Sequence, residues 1–461
     1  MSTARLSSED QRILRLEAGP IVGHTCKVMT VDPPAAGPPV TLDRLRASIE
    51  SRLGLAPRLR QRLQATPLRL APPVWVDDPS FDIARHVRPL GDGAELDDRE
   101  LRRAVARLMA ERLDRDRPLW TLDVAPMTER RTALVWRLHH CMADGATAMR
   151  LGSALLWDSE PELAQPTPAP WAPKPMPTAT ALLAEAAVER CKRVAAGVPS
   201  GARSLASPRT WRAAATELAG LPATLRRELS PRALPSALDR PAGPRRVAAW
   251  TSAPLAELHA AGKAVGEEVT LNDVVLAVTA GAFHEWLAAH GRRGGGVRVK
   301  VPVSLHTRSA DDGVANRDSF LFVDLPVEDP SAVRRLRTIS RETAECKRHH
   351  DAERIDRLVH AVAHLPGGRR VIGLTMSSRL FTFTVSNVRG PSDPGFILGG
   401  PLRSIHSLAE IAPGHALRVA VLSASGTLSF GLCADAEAVP DLDVFVGGLE
   451  RSIEQVLSAG A

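Results

Sequence analysis

Residues 132–157, TALVWRLHHCMADGATAMRLGSALLW, decide how this chain folds. TALVWRLHH reads as a strand and ATAMRLGSALLW as a helix, so the segment is a strand, a tight turn and a helix. Neighbouring side chains on a strand point to opposite faces. Leu134, Trp136, Leu138 and His140 therefore share one side, while Ala133, Val135, Arg137 and His139 share the other. Only one of the two histidines can project into a given cleft. The turn places Asp144 at the start of the helix, where a carboxylate is an ordinary N-cap, and Gly145 permits close backbone approach. A histidine fixed at a strand end beside a carboxylate suits a general base, because its ordinary pKa of about 6.5 leaves it mostly neutral near pH 7. By residue type alone the string also fits a structural histidine or part of a metal site. Diverging strand histidines and the lack of a third ligand cluster count against metal.

Working outward, TLDVAPM (121–127) reads as a second strand, and the spacing of Leu101, Val105, Leu108 and Leu113 predicts a helix over 100–113 that stops before Pro118. A second α/β region resumes near Ala248, with a helix over 271–290 and a strand VRVKVPVSL that places Val297, Val299, Val301, Val303 and Leu305 on one face. FTFTVSNV and LRVAVLSASGTLSFGLC read as strands, the latter folding back at Ser425-Gly426. Each half is expected to supply its own sheet. The organisation is thus 1–160, a connecting segment 161–246, and 247–461.

That connecting segment differs in character. Residues 166–246 hold 13 of the 37 prolines, and 13 Lys/Arg against 5 Asp/Glu, whereas the whole chain of 461 residues carries only +7. The opening PTPAPWAPKPMP favours an extended path, and helices are expected near 179–197 and 209–228. A basic surface toward anionic lipid headgroups is one reading and a merely solvated face is the other. With 4% aromatic residues not interleaved with the charge, nucleic-acid binding is not expected. Five scattered cysteines without CxxC spacing argue against a disulfide framework or a zinc site, and fit a reducing cytoplasm. The polar start MSTARLSSEDQR and the absence of an apolar run of about 18 residues argue against a standard export signal or a membrane span. No GxSxG elbow or P-loop is present.

HHxxxDG at 139–145 is the signature of the CoA-dependent acyltransferases, and the chain resembles the bacterial wax ester synthase/diacylglycerol acyltransferase family from about residue 7 to residue 445. PRLRQRL (57–63), WVDDPSFDIARHV (75–87), LDRDRPLW (113–120), LNDVVLA (271–277), VPVS (301–304) and SNVRGP (386–391) resemble that family's blocks in order. HHxxxDG alone is shared with nonribosomal peptide condensation domains, but no DFGWG-like string is present.

The resemblance implies a two-domain α/β sandwich of the chloramphenicol acetyltransferase type, with a tunnel between its halves. It implies acyl-CoA as co-substrate without a resident cofactor or metal, and a diacylglycerol or long-chain alcohol as acceptor. His140 would be the general base, His139 its support, and Asp144 the residue that holds the turn, more by a salt bridge than by proton relay. Gly145, Asn272, Asp273, Ser386 and Asn387 would lie near the substrates, and Pro118, Leu119 and Trp120 would be scaffold. Thr270 and Asp273 also have N-cap and N3 spacing, so Asp273 has a purely structural reading as well. The chain departs from its relatives at His306, where they often carry arginine, and at Arg389, where proline is common; the arginine partner of Asp144 is therefore left open. Peripheral association with a membrane or lipid inclusion follows from the basic segment. The rival readings are an acyltransferase of secondary metabolism using a carrier-bound donor, and a non-catalytic lipid-surface protein.

Overall fold

The strand and helix read from residues 132–157 are both present, as Thr132–His139 and Gly145–Leu155. The computed structural model describes residues 4–160, 171–188, 191, 238–292, 296–304, 318–349, 354–355, 377–393 and 395–460. The expected helix over 209–228, most of the basic segment, Leu305, His306 and Arg308 lie outside them.

Fourteen strands are formed among the described residues: β1 (His24–Val31), β2 (Gln61–Gln64), β3 (Val74–Asp77), β4 (Val87–Pro89), β5 (Trp120–Pro126), β6 (Thr132–His139), β7 (Arg246–Pro254), β8 (Arg298–Ser304), β9 (Asp318–Asp324), β10 (Phe383–Arg389), β11 (Phe396–Ile397), β12 (Gly400–Ala409), β13 (Leu417–Ala424) and β14 (Thr427–Asp435). One sheet has the order β11-β12-β1-β6-β5-β4, a second has β7-β14-β13-β10-β8-β9, and β2-β3 form a separate hairpin.

The first sheet therefore does not belong to the first half alone. β12 enters it from the second half, pairing antiparallel with β1 from Thr25↔Ala409 onward. Its residues 405–409 are all buried because its two sides are both covered. A Cβ on Gly431 of β14 would lie 2.0 Å from the Ser407 carbonyl oxygen, so the backbones of the two sheets touch here. Two polar side chains on this doubly covered strand find partners: His406 Nδ1 lies 2.6 Å from Ser429 Oγ, and Lys27 Nζ donates to Ser407 Oγ at 2.5 Å.

The helix expected over 100–113 runs over Asp98–Leu108, opened by a capping box between Asp97 and Glu100. It ends early for a tertiary reason. The buried Arg137 guanidinium donates to the carbonyls of Leu108 and Glu111 at 2.8 and 3.3 Å, a cation satisfying the last turn. Leu113 is still buried, but beyond the helix. On the second sheet, the apolar helix Leu271–Ala289 packs with the helices Ala332–Arg348 and Leu442–Gly460 over one face, in a core with Val385, Val419 and Val421. The β13–β14 hairpin closes at Ser425 and Gly426, both at positive φ, the geometry of a two-residue hairpin turn. No helix among the described residues is long and apolar enough to cross a membrane.

Candidate active site

The end of β6 is held on both sides by backbone. His139 N–H donates to the Leu119 carbonyl and His140 N–H to that of Gly23, each at 2.9 Å. Leu119 thereby ties the Pro118-Leu119-Trp120 block to the histidines. Trp120 is buried, donates its indole N–H to the Leu59 carbonyl at 2.8 Å and stacks on His86 with ring centroids 4.6 Å apart. This block is scaffold that fixes where the strand ends.

The two histidines are not equivalent. The His139 ring is buried with both nitrogens engaged: Nδ1 accepts from the Cys141 N–H at 3.1 Å, and Nε2 lies 3.2 Å from Glu17 Oε2. Because Nδ1 accepts, Nε2 carries the proton and donates it to Glu17. Burial pushes the Glu17 carboxyl up, but hydrogen bonds from His139 and Arg115 outweigh that, so its pKa is lowered and it is ionised. Gly23, at φ +68, makes room, since a Cβ there would sit 2.8 Å from His139 Nε2. Glu17 carried no sequence signal, being a single charged residue far along the chain in no motif with the histidines, whereas Arg115 stands in the LDRDRPLW block, from which only Pro118, Leu119 and Trp120 were singled out.

His140, in contrast, has a buried Nδ1 without a hydrogen-bond partner. Burial and then the charge of Arg418 push its pKa down to about 4, so the ring is a neutral base at ordinary pH. Arg418 stands on β13 opposite Thr384 of β10 and Cys433 of β14. Alternation along β13 places Arg418 on the same face as Leu422 and Ala424, which pack in the core of Trp136, Leu138 and Met142. Arg418 thus reaches from the second sheet toward the histidine turn. Its Nε is buried without a partner, and burial lowers its pKa to about 10.

Asp144 caps the helix, accepting the Thr147 N–H at 2.6 Å. Among the described residues no carboxylate–cation pair within 4 Å forms at Asp144, so its visible role is to shape the turn. Gly145 meets the second half directly: a Cβ there would lie 2.5 Å from Val388 Cγ2. Gly390 repeats the close approach, with a Cβ position 3.1 Å from Met149 Cε. SNVRGP is therefore packed against HHCMADG. Ser386 shares the face of Val388, whereas strand alternation turns Asn387 to the face of Val385, in the helix-covered core. Arg389 is exposed.

The LNDVVLA block is placed differently. Asp273 is buried, with Oδ2 accepting from the Thr270 N–H and hydroxyl at 2.8 Å each, and Oδ1 accepting from the Thr343 hydroxyl at 2.7 Å. These bonds cap one helix and bind it to another within the second half. Asn272 sits beside it in the first turn, and among the described residues no hydrogen bond or ion pair links Asp273 to the histidine turn. Among the described residues no group of three or more His, Cys, Asp or Glu is placed to hold a metal ion.

Comparison with known proteins gives two family matches. Residues 6–275 match the wax ester synthase/diacylglycerol acyltransferase catalytic domain, and residues 314–456 the C-terminal domain of the same family. A putative diacylglycerol O-acyltransferase of Mycobacterium tuberculosis is 31% identical over 466 residues, covering 99% of this chain and 97% of that one. The solved wax ester synthase/diacylglycerol acyltransferase of Marinobacter aquaeolei superposes with a TM-score of 0.69 at 23% identity, over 99% of this chain and 100% of that one. The starter condensation domain of rhizomide synthetase in complex with C8-CoA superposes with 0.59 at 16% identity, over 100% and 95%. These structural likenesses establish the shared two-domain α/β fold.

Proposed function

We propose, for a chain that belongs to the wax ester synthase/diacylglycerol acyltransferase family and is an O-acyltransferase, that His140 is the general base of ester formation from acyl-CoA. The observation that supports this is the asymmetry of the histidine pair: His139 has both ring nitrogens occupied, one of them by the Glu17 carboxylate, while the His140 ring is neutral and is paired with no carboxylate among the described residues, at the contact between the two halves.

In this reading the acceptor hydroxyl binds with its proton toward His140 Nε2. An alcohol is too weak an acid for an imidazole to ionise beforehand, so the proton moves to Nε2 as the oxygen attacks the thioester carbonyl. The resulting tetrahedral oxyanion collapses, the carbon–sulfur bond breaks, and the departing CoA sulfur takes the proton from His140. No covalent acyl-enzyme forms. Holding both substrates together supplies much of the acceleration, and exclusion of water keeps hydrolysis from competing. The Arg418 cation faces the region where negative charge develops and stabilises it. Glu17 and His139 hold the strand end beneath.

The acceptors in this reading are a diacylglycerol, a long-chain alcohol, or both, with acyl-CoA as co-substrate and no resident cofactor. Halves 1–160 and 247–461 each contribute one side of the site, and the basic segment at 161–246 draws the protein to anionic lipid at a membrane or inclusion surface. The test offers labelled long-chain acyl-CoA with hexadecanol or a diacylglycerol to wild type and His140→Ala. Ester from wild type, reduced roughly 100-fold or more in the variant, supports the reading. Undiminished ester from His140→Ala overturns it.

A further inference from the structure

The β2–β3 hairpin ends in an outlying turn, QATPLRLAPP (64–73), that neither the fold nor the chemistry above requires. The turn is closed internally. Thr66, 3% exposed, donates its hydroxyl to the Ala71 carbonyl at 2.5 Å and accepts the Ala71 N–H at 3.2 Å. Arg69 N–H donates to the Thr66 carbonyl and Leu70 N–H to that of Pro67, at 3.0 and 3.3 Å. Pro67, Pro72 and Pro73 restrict the rest. Leu68 and Arg69 are held at φ 52 and 53, a conformation that side chains with a Cβ rarely take.

This fixed turn holds two large apolar side chains side by side in solvent. Leu68 is 85% exposed and Leu70 61%, with the exposed Arg69 between them. Between Ala56 and Val76 there are four arginines and no acidic residue, but Arg60 is buried, Arg58 packs over Trp75 and Asp77 closes the base of the hairpin, so the exposed charge at the tip is that of Arg69. Its base is anchored to the catalytic turn: Leu63 and Trp75 pack in the same core as Cys141, Met142 and Ala143, and the Arg58 guanidinium lies over the Trp75 ring at 4.4 Å.

We propose that this turn inserts into a lipid surface bearing anionic headgroups, with Leu68 and Leu70 entering the acyl region and Arg69 at the phosphate level. This rests on the reading that the substrates are long-chain lipids, which reside in such a surface. Two leucines on a convex tip are far too little for a protein interface, which needs about 800 Å² from each partner. They suit a soft apolar medium that closes around them, and the exposed Arg69 between them matches its charge. The arm would moor the first half, through its core, to the phase that holds the acceptor.

Flotation with vesicles of phosphatidylcholine, with and without phosphatidylglycerol, tests this on the full chain. Leu68→Asp/Leu70→Asp should lose roughly tenfold or more of its vesicle partitioning, stay monodisperse, and keep its activity on a short-chain acyl-CoA with a water-soluble alcohol. A polarity-sensitive dye on Leu68→Cys, in a Cys191→Ser background, should shift to the blue when vesicles are added. The proposal is overturned if wild type does not float, or if the double variant floats as well as wild type. It is also overturned if Arg226→Gln/Arg227→Gln/Arg232→Gln abolishes flotation while the dye does not shift, since binding then belongs to the basic segment. A change of oligomeric state in the double variant without vesicle binding by wild type would assign the tip to a second copy. Flotation through the tip with no ester formed would leave this inference standing and remove the acyltransfer reading of substrates instead.

Discussion

Val388 occupies the space that a side chain on Gly145 would need, with its Cγ2 2.5 Å from where that Cβ would stand. The last residue of HHxxxDG is thus glycine because the two halves meet at that point. The contact sets how closely a base on the first half approaches groups on the second.

Gly145→Ala should therefore push the halves apart. We expect a loss of about 1–3 kcal/mol in unfolding free energy and a fall of at least about tenfold in kcat, since a displacement near 1 Å at a reacting centre is costly. The double variant Gly145→Ala/Val388→Ala should recover most of both. Denaturant unfolding and steady-state rates on the two variants check this, and failure of Val388→Ala to rescue would show that glycine is needed for another reason.

Glu17→Gln keeps the shape and one acceptor oxygen but removes the negative charge that His139 and Arg115 share. Arg115 is half-exposed and is then solvated, so the loss falls on the buried bond to His139, about 1 kcal/mol of stability at pH 7. The sign follows from the lowered carboxyl pKa. The contribution is present above the unfolded value near 4.5 and is lost as pH falls through the folded one. Wild type and variant should therefore converge in stability in acid. Equal stabilities at pH 7 would mean that the Glu17–His139 bond holds nothing.

The strand–turn–helix around the histidines was legible because alternation on β6 and the Asp144 N-cap are local signals. The choice of His140 over His139 came from the family resemblance and not from alternation, since the geometry that separates them depends on Glu17, which stands beside His139 from 122 residues away in sequence. Arg418 was invisible for the same reason: it is one residue of an ordinary-looking strand. β12 escaped notice because a strand covered on both sides loses alternation, so that even its polar His406 and Ser407 are buried. Helix 98–108 was overextended because apolar spacing continues to Leu113, and only Arg137, on a different strand, ends it. Asp273 was read both as a cap and as a site residue, and its bonds to Thr270 and Thr343 account for the cap in full.

His406 stays neutral in the folded chain, pushed down to about 3 by burial and then by Arg102. In the unfolded chain it takes a proton near pH 6.5. Between these values the unfolded state binds more protons, so folding stability falls as pH falls, by about 1.4 kcal/mol per pH unit from this group. His406→Gln keeps a partner for Ser429 and removes the titration. Its stability should fall less steeply than that of wild type between about pH 6 and pH 4. Parallel stability–pH curves would show that His406 is already charged or is reached by water.

Arg418 provides the sharpest test of the base. Burial and this cation together hold His140 near 4, so the acid limb of kcat/KM should fall close to pH 4, well below the ordinary histidine range of about 6.5. Arg418→Gln removes the charge, so the limb should move to higher pH because protonating His140 becomes easier. At the same time kcat should drop, since the cation no longer meets the developing negative charge. Stability should hold or rise, because an arginine that forms no ion pair within 4 Å among the described residues is costly to bury. Arg418→Lys separates the two effects: it keeps the charge and so the position of the limb, while altering kcat through geometry. An acid limb that stays put in Arg418→Gln, with kcat unchanged, would mean that Arg418 does not act on His140 and that the base is neutral through burial alone.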